Sequence, residues 1–266
     1  MDDTPLLELR GLNKVYDNGF HAVKDVSYSI RSGLLVGLIG PNGCGKSTMM
    51  KCINRMHTTT SGDILMDGES VLATSPAELA KKISNVPAEL KVSFGLTVLD
   101  TVMMGRYPHI NTLWWETRED EAIVEDAMKK FGVDHLAERQ LHTLSSGERQ
   151  RVLIAKAYVQ EPRLMLVDEP TSHLDMKYKL EVMEYLQYMV KKDMTILVAE
   201  HDISLMARYC DLCIIMKKGE IVAIGDPKRV ITSELIEEVY EVNASVGFDQ
   251  DGELYVLPKR YRAKHE

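Results

Sequence analysis

Gly40-Pro41-Asn42-Gly43-Cys44-Gly45-Lys46-Ser47-Thr48 spells G-x-x-x-x-G-K-S, the pattern of a phosphate-binding loop. An apolar run over residues 34–39 precedes it and predicts a buried parallel strand, and residues 47–55 predict a helix. That context is what the motif requires. Glycines let consecutive backbone N–H groups curl around a phosphate, and the helix N-terminus adds the positive end of its dipole. Lys46 is placed to reach the terminal phosphates, and the Ser47 hydroxyl to ligand Mg²⁺. A glycine-rich turn with a chance Lys-Ser would lack the strand and helix on its two sides.

A second cluster of chemistry follows residues 164–167, Leu-Met-Leu-Val, a short fully apolar strand that ends in Asp168-Glu169. Two carboxylates at the carboxyl end of a buried parallel strand are costly unless a cation waits there, and that end is where open α/β sheets bind ligands. Asp168 fits a Mg²⁺ ligand and Glu169 the activation of an attacking water. Residues 195–199 read as another buried strand, ending in Glu200-His201-Asp202, where His201 can hydrogen-bond a phosphate. Leu144-Ser145-Ser146-Gly147-Glu148 opens a helix that ends before Pro162. Its Ser-Ser-Gly start is either a second phosphate site or simply a well-capped helix.

Bulk properties narrow the function classes. The chain has 266 residues, 45% hydrophobic and 27% charged, the profile of a soluble globular protein. A net charge of −8 with no basic tract argues against a nucleic-acid binder. No apolar run spans a membrane, and Met1-Asp2-Asp3-Thr4-Pro5 does not read as a secretory signal. The four cysteines fit a reducing compartment, and Cys210-Asp211-Leu212-Cys213, lacking a second pair, reads as core.

The remaining chain reads as α/β. Alternation over residues 6–16 and 26–30 predicts an antiparallel β layer ahead of the phosphate-loop strand. Tyr16, before the Asp17-Asn18-Gly19 turn, is either a base-stacking aromatic or an ordinary strand residue. Asp67-Gly68 predicts a hairpin, Pro76 opens a helix, and residues 83–86 predict a strand. From about residue 97 helical spacing takes over, with helices expected over 97–106, 118–131 and 133–139, an insertion in the α/β core. Trp114 and Trp115 lie in a connection there and read either as a partner contact or as local packing. Helices over 177–192, 203–209 and 233–240 and a hairpin over 211–224 follow. A small tail hairpin on Asp251-Gly252 comes next, then a frayed basic end over 260–265. A calcium loop in the tail does not fit the ligand spacing.

Four motifs in one order are more specific than any alone. Over essentially its full length the chain resembles the nucleotide-binding subunits of ATP-binding cassette (ABC) transporters. GPNGCGKST is similar to their Walker A, LSSGERQR to their signature, LMLVDEP to their Walker B with its catalytic Glu169, TSHLD to their D-loop and AEHD to their switch-histidine segment. The resemblance implies an ABC-type P-loop NTPase as one domain over residues 1–266. Its core is expected over 1–90 and 160–242, with an antiparallel β subdomain, a helical subdomain over 91–159 and a tail over 243–266. Tyr16 then falls where the adenine-stacking aromatic sits. Gly40, Asn42, Gly43, Cys44, Gly45, Lys46, Ser47 and Thr48 would hold ATP from one chain. Ser145, Ser146, Gly147, Glu148 and Asp175 would face it from a second copy closing head to tail. Glu169 and His201 take catalytic roles, and Ser47 and Asp168 hold Mg²⁺. Closure would pull on a membrane permease served indirectly by a substrate-binding protein, with this chain peripheral at the cytoplasmic face.

Met104-Gly105-Arg106-Tyr107-Pro108-His109 and the tail ending Tyr255-Val256-Leu257-Pro258 are similar to importer ATPases for iron–siderophore complexes, haem and cobalamin. The runners-up are a cassette for another substrate and a soluble ATP-gated module acting on DNA or ribosomes. Two departures stand out. The family's V-P-Q is here Val86-Pro87-Ala88-Glu89, with no Gln between Leu79 and Arg139. Glu89 is a candidate replacement as metal ligand. Ser146 replaces the first signature Gly but keeps a small residue.

Overall fold

The structure, a computed structural model, describes residues 4–88, 95–110 and 117–259. The chain forms β1 (Leu7–Val15), β2 (His21–Ile30), β3 (Leu35–Ile39), α1 (Lys46–Ile53), β4 (Ser61–Met66), β5 (Glu69–Ser70), α2 (Pro76–Lys82) and β6 (Ile83–Val86). It continues through α3 (Val98–Met103), α4 (Arg118–Lys130), α5 (Ser146–Val159), β7 (Leu164–Asp168), α6 (Met176–Val190), β8 (Thr195–Glu200) and α7 (Ile203–Tyr209). Then come β9 (Leu212–Lys217), β10 (Glu220–Gly225), α8 (Pro227–Val230), α9 (Ser233–Tyr240), β11 (Ala244–Phe248) and β12 (Leu254–Pro258). Contacts divide it into two compact units, one made of the described residues up to Val71 and from Leu197 onward, the other of Leu72–Ile196. The helices expected over 91–159 fall in the second unit, together with α2, β6, β7 and α6. Glu89, Trp114, Trp115 and residues 260–265 lie outside the described residues.

In the first unit β1 is the middle of an antiparallel layer ordered β2-β1-β4-β5. Leu7 faces Ile30 on one side and Met66 on the other, and all three are buried. Burying each such side chain contributes roughly 2 kcal/mol. β2 starts at His21, earlier than the alternation indicates, because Val15 pairs with His21 across the Asp17-Asn18-Gly19 turn. Asp67 and Gly68 both take positive φ, 54° and 78°, which is the tight hairpin their sequence announces. β3 is buried along its whole length and runs parallel to β9, with Val36 opposite Leu212 and Ile39 opposite Ile215. Its uniform apolarity reflects burial on both faces. Cys210 and Cys213 are buried free thiols, and a hydrogen bond between them together with burial pushes the Cys210 thiol well up.

The tail hairpin forms with Ala244 opposite Pro258 and Phe248 opposite Leu254. Asp249 Oδ1 accepts the N–H groups of Asp251 and Glu253, closing its loop. The Ser233 hydroxyl oxygen accepts the Val246 N–H and that of Ser204 the Val256 N–H, tying the hairpin to α9 and α7.

In the second unit β6 and β7 pair in parallel, Ile83 opposite Leu164 and Val86 opposite Val167. The Arg163 N–H reaches the Lys82 carbonyl, and Thr195, which opens β8, donates to the Arg163 carbonyl. The helix expected over 133–139 does not form; a single 3₁₀ turn, Asp134–Leu136, stands there. The carbonyls of Ala137 and Arg139 instead accept the first N–H groups of α3, from Leu99 and Val98. The chain leaves that turn extended, with Gln140 bridging antiparallel to Thr97, and the Thr97 hydroxyl takes the Asp100 N–H, so the first three N–H groups of α3 all have acceptors. The helix expected over 97–106 is α-helical only to Met103 and continues as a 3₁₀ helix, Met104–His109, because Pro108 carries no N–H. Pro227–Val230, a short helix capped by Asp226, has no counterpart in the sequence reading.

Candidate nucleotide site

The residues of the first unit form a phosphate loop held from below. Gly45 is the cap of α1 with φ 111°, and a Cβ there would collide with the Ala22 carbonyl oxygen, so only glycine fits. The Cys44 carbonyl accepts the Gly219 N–H at 2.9 Å, fastening the loop to the β9–β10 turn. Cys44 itself is buried, which pushes its thiol up against the opposing pull of the Lys46 charge. Asn42 and Gly43 are exposed at the crest of the loop. Lys46 is 5% exposed, and its Nζ donates to the Gly40 carbonyl at 2.6 Å. That bond aims the ammonium along the inside of the loop.

Tyr16 belongs to the same unit. Its hydroxyl is 3.0 Å from the Thr48 hydroxyl, on the first turns of α1. The His57 ring meets it edge-on, centroids 5.7 Å apart, and the Lys14 ammonium lies 5.3 Å from its centroid. The ring is therefore fixed in place beside the loop. Sequence reading offered Tyr16 and Thr48 separately; the roles of Lys14 and His57 carry no local sequence signal. His201 is exposed immediately after β8, its N–H donating to the carboxylate of Glu200, which is 3% exposed.

The second unit carries the other motif residues. Ser145 caps α5 through a reciprocal box: its hydroxyl and N–H bond the Glu148 carboxylate at 2.7 and 2.9 Å, and its Oγ accepts the Glu148 N–H. Those bonds hold the Glu148 carboxyl below the ordinary carboxylate range. Ser145 and Ser146 are exposed, whereas Gly147 is buried. Asp168 is the last residue of β7, and Glu169 follows with φ 48°. A non-glycine residue there is strained, and such strain concentrates at functional positions. The turn is held by the Ser172 N–H on the Glu169 carbonyl and by the Ser172 hydroxyl, 3.3 Å from Glu169 Oε2. Asp175 caps α6, accepting the Tyr178 N–H at 3.1 Å. Ala88 is exposed two residues past β6, and its methyl offers neither a hydrogen bond nor a metal ligand.

Gly105 to His109 has a structural task. Arg106 is 6% exposed and bonds Asp120 Oδ1 at 2.8 Å, the Val159 carbonyl at 2.7 Å and Glu161 Oε2 at 2.6 Å. His109 Nε2 lies 2.8 Å from the Gln160 carbonyl. Asp120 is also the N3 member of the Thr117 capping box, so one guanidinium joins the start of α4 to the end of α5.

A phosphate loop between a buried strand and a helix, an aromatic anchored beside it, and paired carboxylates closing a second strand define a P-loop nucleotide-binding protein. The model of the ABC transporter family matches residues 23–172, and the chain belongs to that family. It is 36% identical over 242 residues to the ferric enterobactin transport ATP-binding protein FepC of Escherichia coli, covering 90% of this chain and 89% of that one. It is 39% identical over 244 residues to the cobalamin import ATP-binding protein BtuD of Halobacterium salinarum, covering 91% of this chain. The match spans 61% of the length of that relative. Among solved structures, cbiO1 from Clostridium perfringens, part of the ABC transporter complex cbiONQ, superposes with TM-score 0.76 at 32% identity, covering 90% and 96% of the two chains. A dimeric, post-hydrolysis state of the cassette MJ0796 bound to ADP and Pi superposes with TM-score 0.75 at 28% identity, covering 83% and 98%.

Proposed function

We propose that this chain is the ATP-hydrolysing subunit of an importer for an iron chelate, haem, cobalamin or a related metal complex. The observation that carries the nucleotide reading is the Tyr16–Thr48 contact, which sets a ring for the adenine at a fixed distance from the phosphate loop. The cobalamin and ferric enterobactin names of two relatives support the substrate class.

In this reading the N–H groups of residues 40–48 and Lys46 bind the phosphates, and Tyr16 stacks on the base. The Ser47 hydroxyl and the Asp168 carboxylate are hard oxygen donors of the kind Mg²⁺ prefers. Bound there, Mg²⁺ would neutralise charge on the phosphate oxygens. Glu169 accepts the proton of the attacking water, and His201 hydrogen-bonds the terminal phosphate. Two copies close head to tail, so that Ser145, Ser146, Gly147, Glu148 and Asp175 of one chain complete the other's site. Nucleotide binding favours the closed pair, and that differential affinity is what drives a membrane partner. Among the described residues no helix is long and apolar enough to cross a membrane, which fits a subunit peripheral to one, at its cytoplasmic face.

Lys46→Ala tests the site. Losing a charge-assisted bond to phosphate removes about 1.5–3 kcal/mol, a drop of roughly 10- to 100-fold in affinity for a fluorescent ATP analogue. Unchanged binding would contradict the assignment of the loop.

A further inference from the structure

Gly147, the last small residue of the helix start read as the signature, is covered by an aromatic ring of its own chain. A Cβ on Gly147 would lie 3.1, 3.2 and 3.4 Å from Cγ, Cδ1 and Cδ2 of Tyr178. Tyr178 is in the first turn of α6, and its N–H is the one that Asp175 accepts to cap that helix. The ring therefore stands between two helix starts, one opened by Ser145 and one by Asp175.

The contact continues along both helices. One turn beyond Gly147, the Arg151 guanidinium lies 5.7 Å from the Tyr178 centroid and bonds Glu181 Oε2 at 3.3 Å. The Tyr185 hydroxyl donates to Glu181 Oε1 at 3.4 Å. Phe131 then meets Tyr158 of α5 and Tyr185 of α6 edge-on, at 5.3 and 5.1 Å between centroids. Residues three or four apart share a helix face, so these contacts line one seam between α5 and α6. Close-packed seams transmit a displacement rather than absorb it.

We infer that Tyr178 is a positioning residue: its ring, seated on Gly147, sets the Ser145–Glu148 helix start at a fixed height against the Asp175 turn. The two segments then reach the partner copy's nucleotide as one rigid edge. The inference rests on the reading of those segments as the trans half of the ATP site. It also gives Gly147 a reason independent of phosphate contact, since a Cβ there sits too close to the ring, which must give by a few tenths of an ångström.

The experiment is a double-mutant cycle on the full-length chain, read by steady-state ATP turnover, by binding of a fluorescent ATP analogue and by thermal unfolding. Misplacing a catalytic element by an ångström costs up to about 100-fold in rate. Tyr178→Ala should lower kcat about tenfold, with analogue binding to the chain's own loop within about twofold of wild type. Tyr178→Phe keeps the ring and should turn over within about twofold of wild type. Gly147→Ala should lose turnover, and Gly147→Ala with Tyr178→Ala should recover at least about fivefold over Gly147→Ala alone, because neighbours in contact are non-additive. Wild-type kcat in Tyr178→Ala, or a double variant no better than Gly147→Ala, would overturn the inference. Absence of turnover in the wild type would instead sink the ATPase reading. The unfolding cycle still decides the contact in that case: non-additive midpoints support it, and additive midpoints overturn it.

Discussion

Glu169→Gln abolishes turnover and leaves nucleotide binding intact: the expected loss in kcat is about 10²–10⁴-fold, the contribution of a positioned general base. Glutamine keeps the size of the side chain, so it can occupy the same place beside the Ser172 hydroxyl. It cannot accept a proton from water. The backbone strain at residue 169, φ 48°, is unchanged by the substitution and comes from the turn rather than the side chain. With hydrolysis removed and affinity kept, ATP should hold two copies closed, and the variant should elute as a dimer with ATP and as a monomer with ADP. A variant that turns over normally would remove Glu169 as the base.

Arg106→Ala should destabilise the fold by about 3–5 kcal/mol, the penalty for removing one partner of a buried ion pair. Three acceptors lose their donor at once: Asp120, the Val159 carbonyl and Glu161. Glu161 is largely exposed and turns to water, but Asp120 has 9% side-chain exposure and cannot. Burial pushes the Asp120 carboxyl up, and the guanidinium of Arg106, with the Thr117 hydroxyl and N–H, outweighs it and holds the group below the ordinary carboxylate range. A depressed carboxyl contributes stability above its unfolded pKa of about 3.9, and loses it as pH falls through the lower folded value. Without Arg106 the guanidinium no longer opposes burial, and Asp120 takes up a proton more readily than in the wild type. The stability gap between wild type and variant, measured by urea unfolding, should therefore be full at pH 7 and close as pH falls through the variant's Asp120 pKa to the depressed wild-type value. Arg106→Lys should recover only part of it, since an ammonium cannot reproduce the fork of the guanidinium.

The parts legible in the sequence are those fixed by local chemistry. Apolar runs marked β3, β7 and β8, residues 83–86 were legible as β6, and Pro76 marked the start of α2. The phosphate loop was legible because glycine positions, lysine and hydroxyl all fall within nine residues. What was not legible depends on partners distant in the chain. Residues 133–139 have helical spacing, but the chain there runs beside the start of α3, far earlier in sequence, with Gln140 bridged to Thr97 and the Ala137 and Arg139 carbonyls serving Leu99 and Val98. Arg106 was readable as a marker of a subfamily, yet its work is done through Asp120, Val159 and Glu161, on α4 and just at the end of α5. Tyr178 gave no signal, since an aromatic in the first turn of an amphipathic helix looks like ordinary packing until the glycine beneath it is seen. The absence of a glutamine at Ala88 was plain in the sequence and stays plain in the structure.

If this chain drives transport through a membrane partner, the two should co-purify. The tagged full-length chain would be expressed in its native host, membranes solubilised in mild detergent, and the captured proteins identified by mass spectrometry. A multi-spanning permease in stoichiometric amount, retained with ATP, is the expected result, with a substrate-binding protein encoded beside it for a metal chelate or cobalamin-like compound. Capture of ribosomal or DNA-associated proteins with no membrane protein would contradict it.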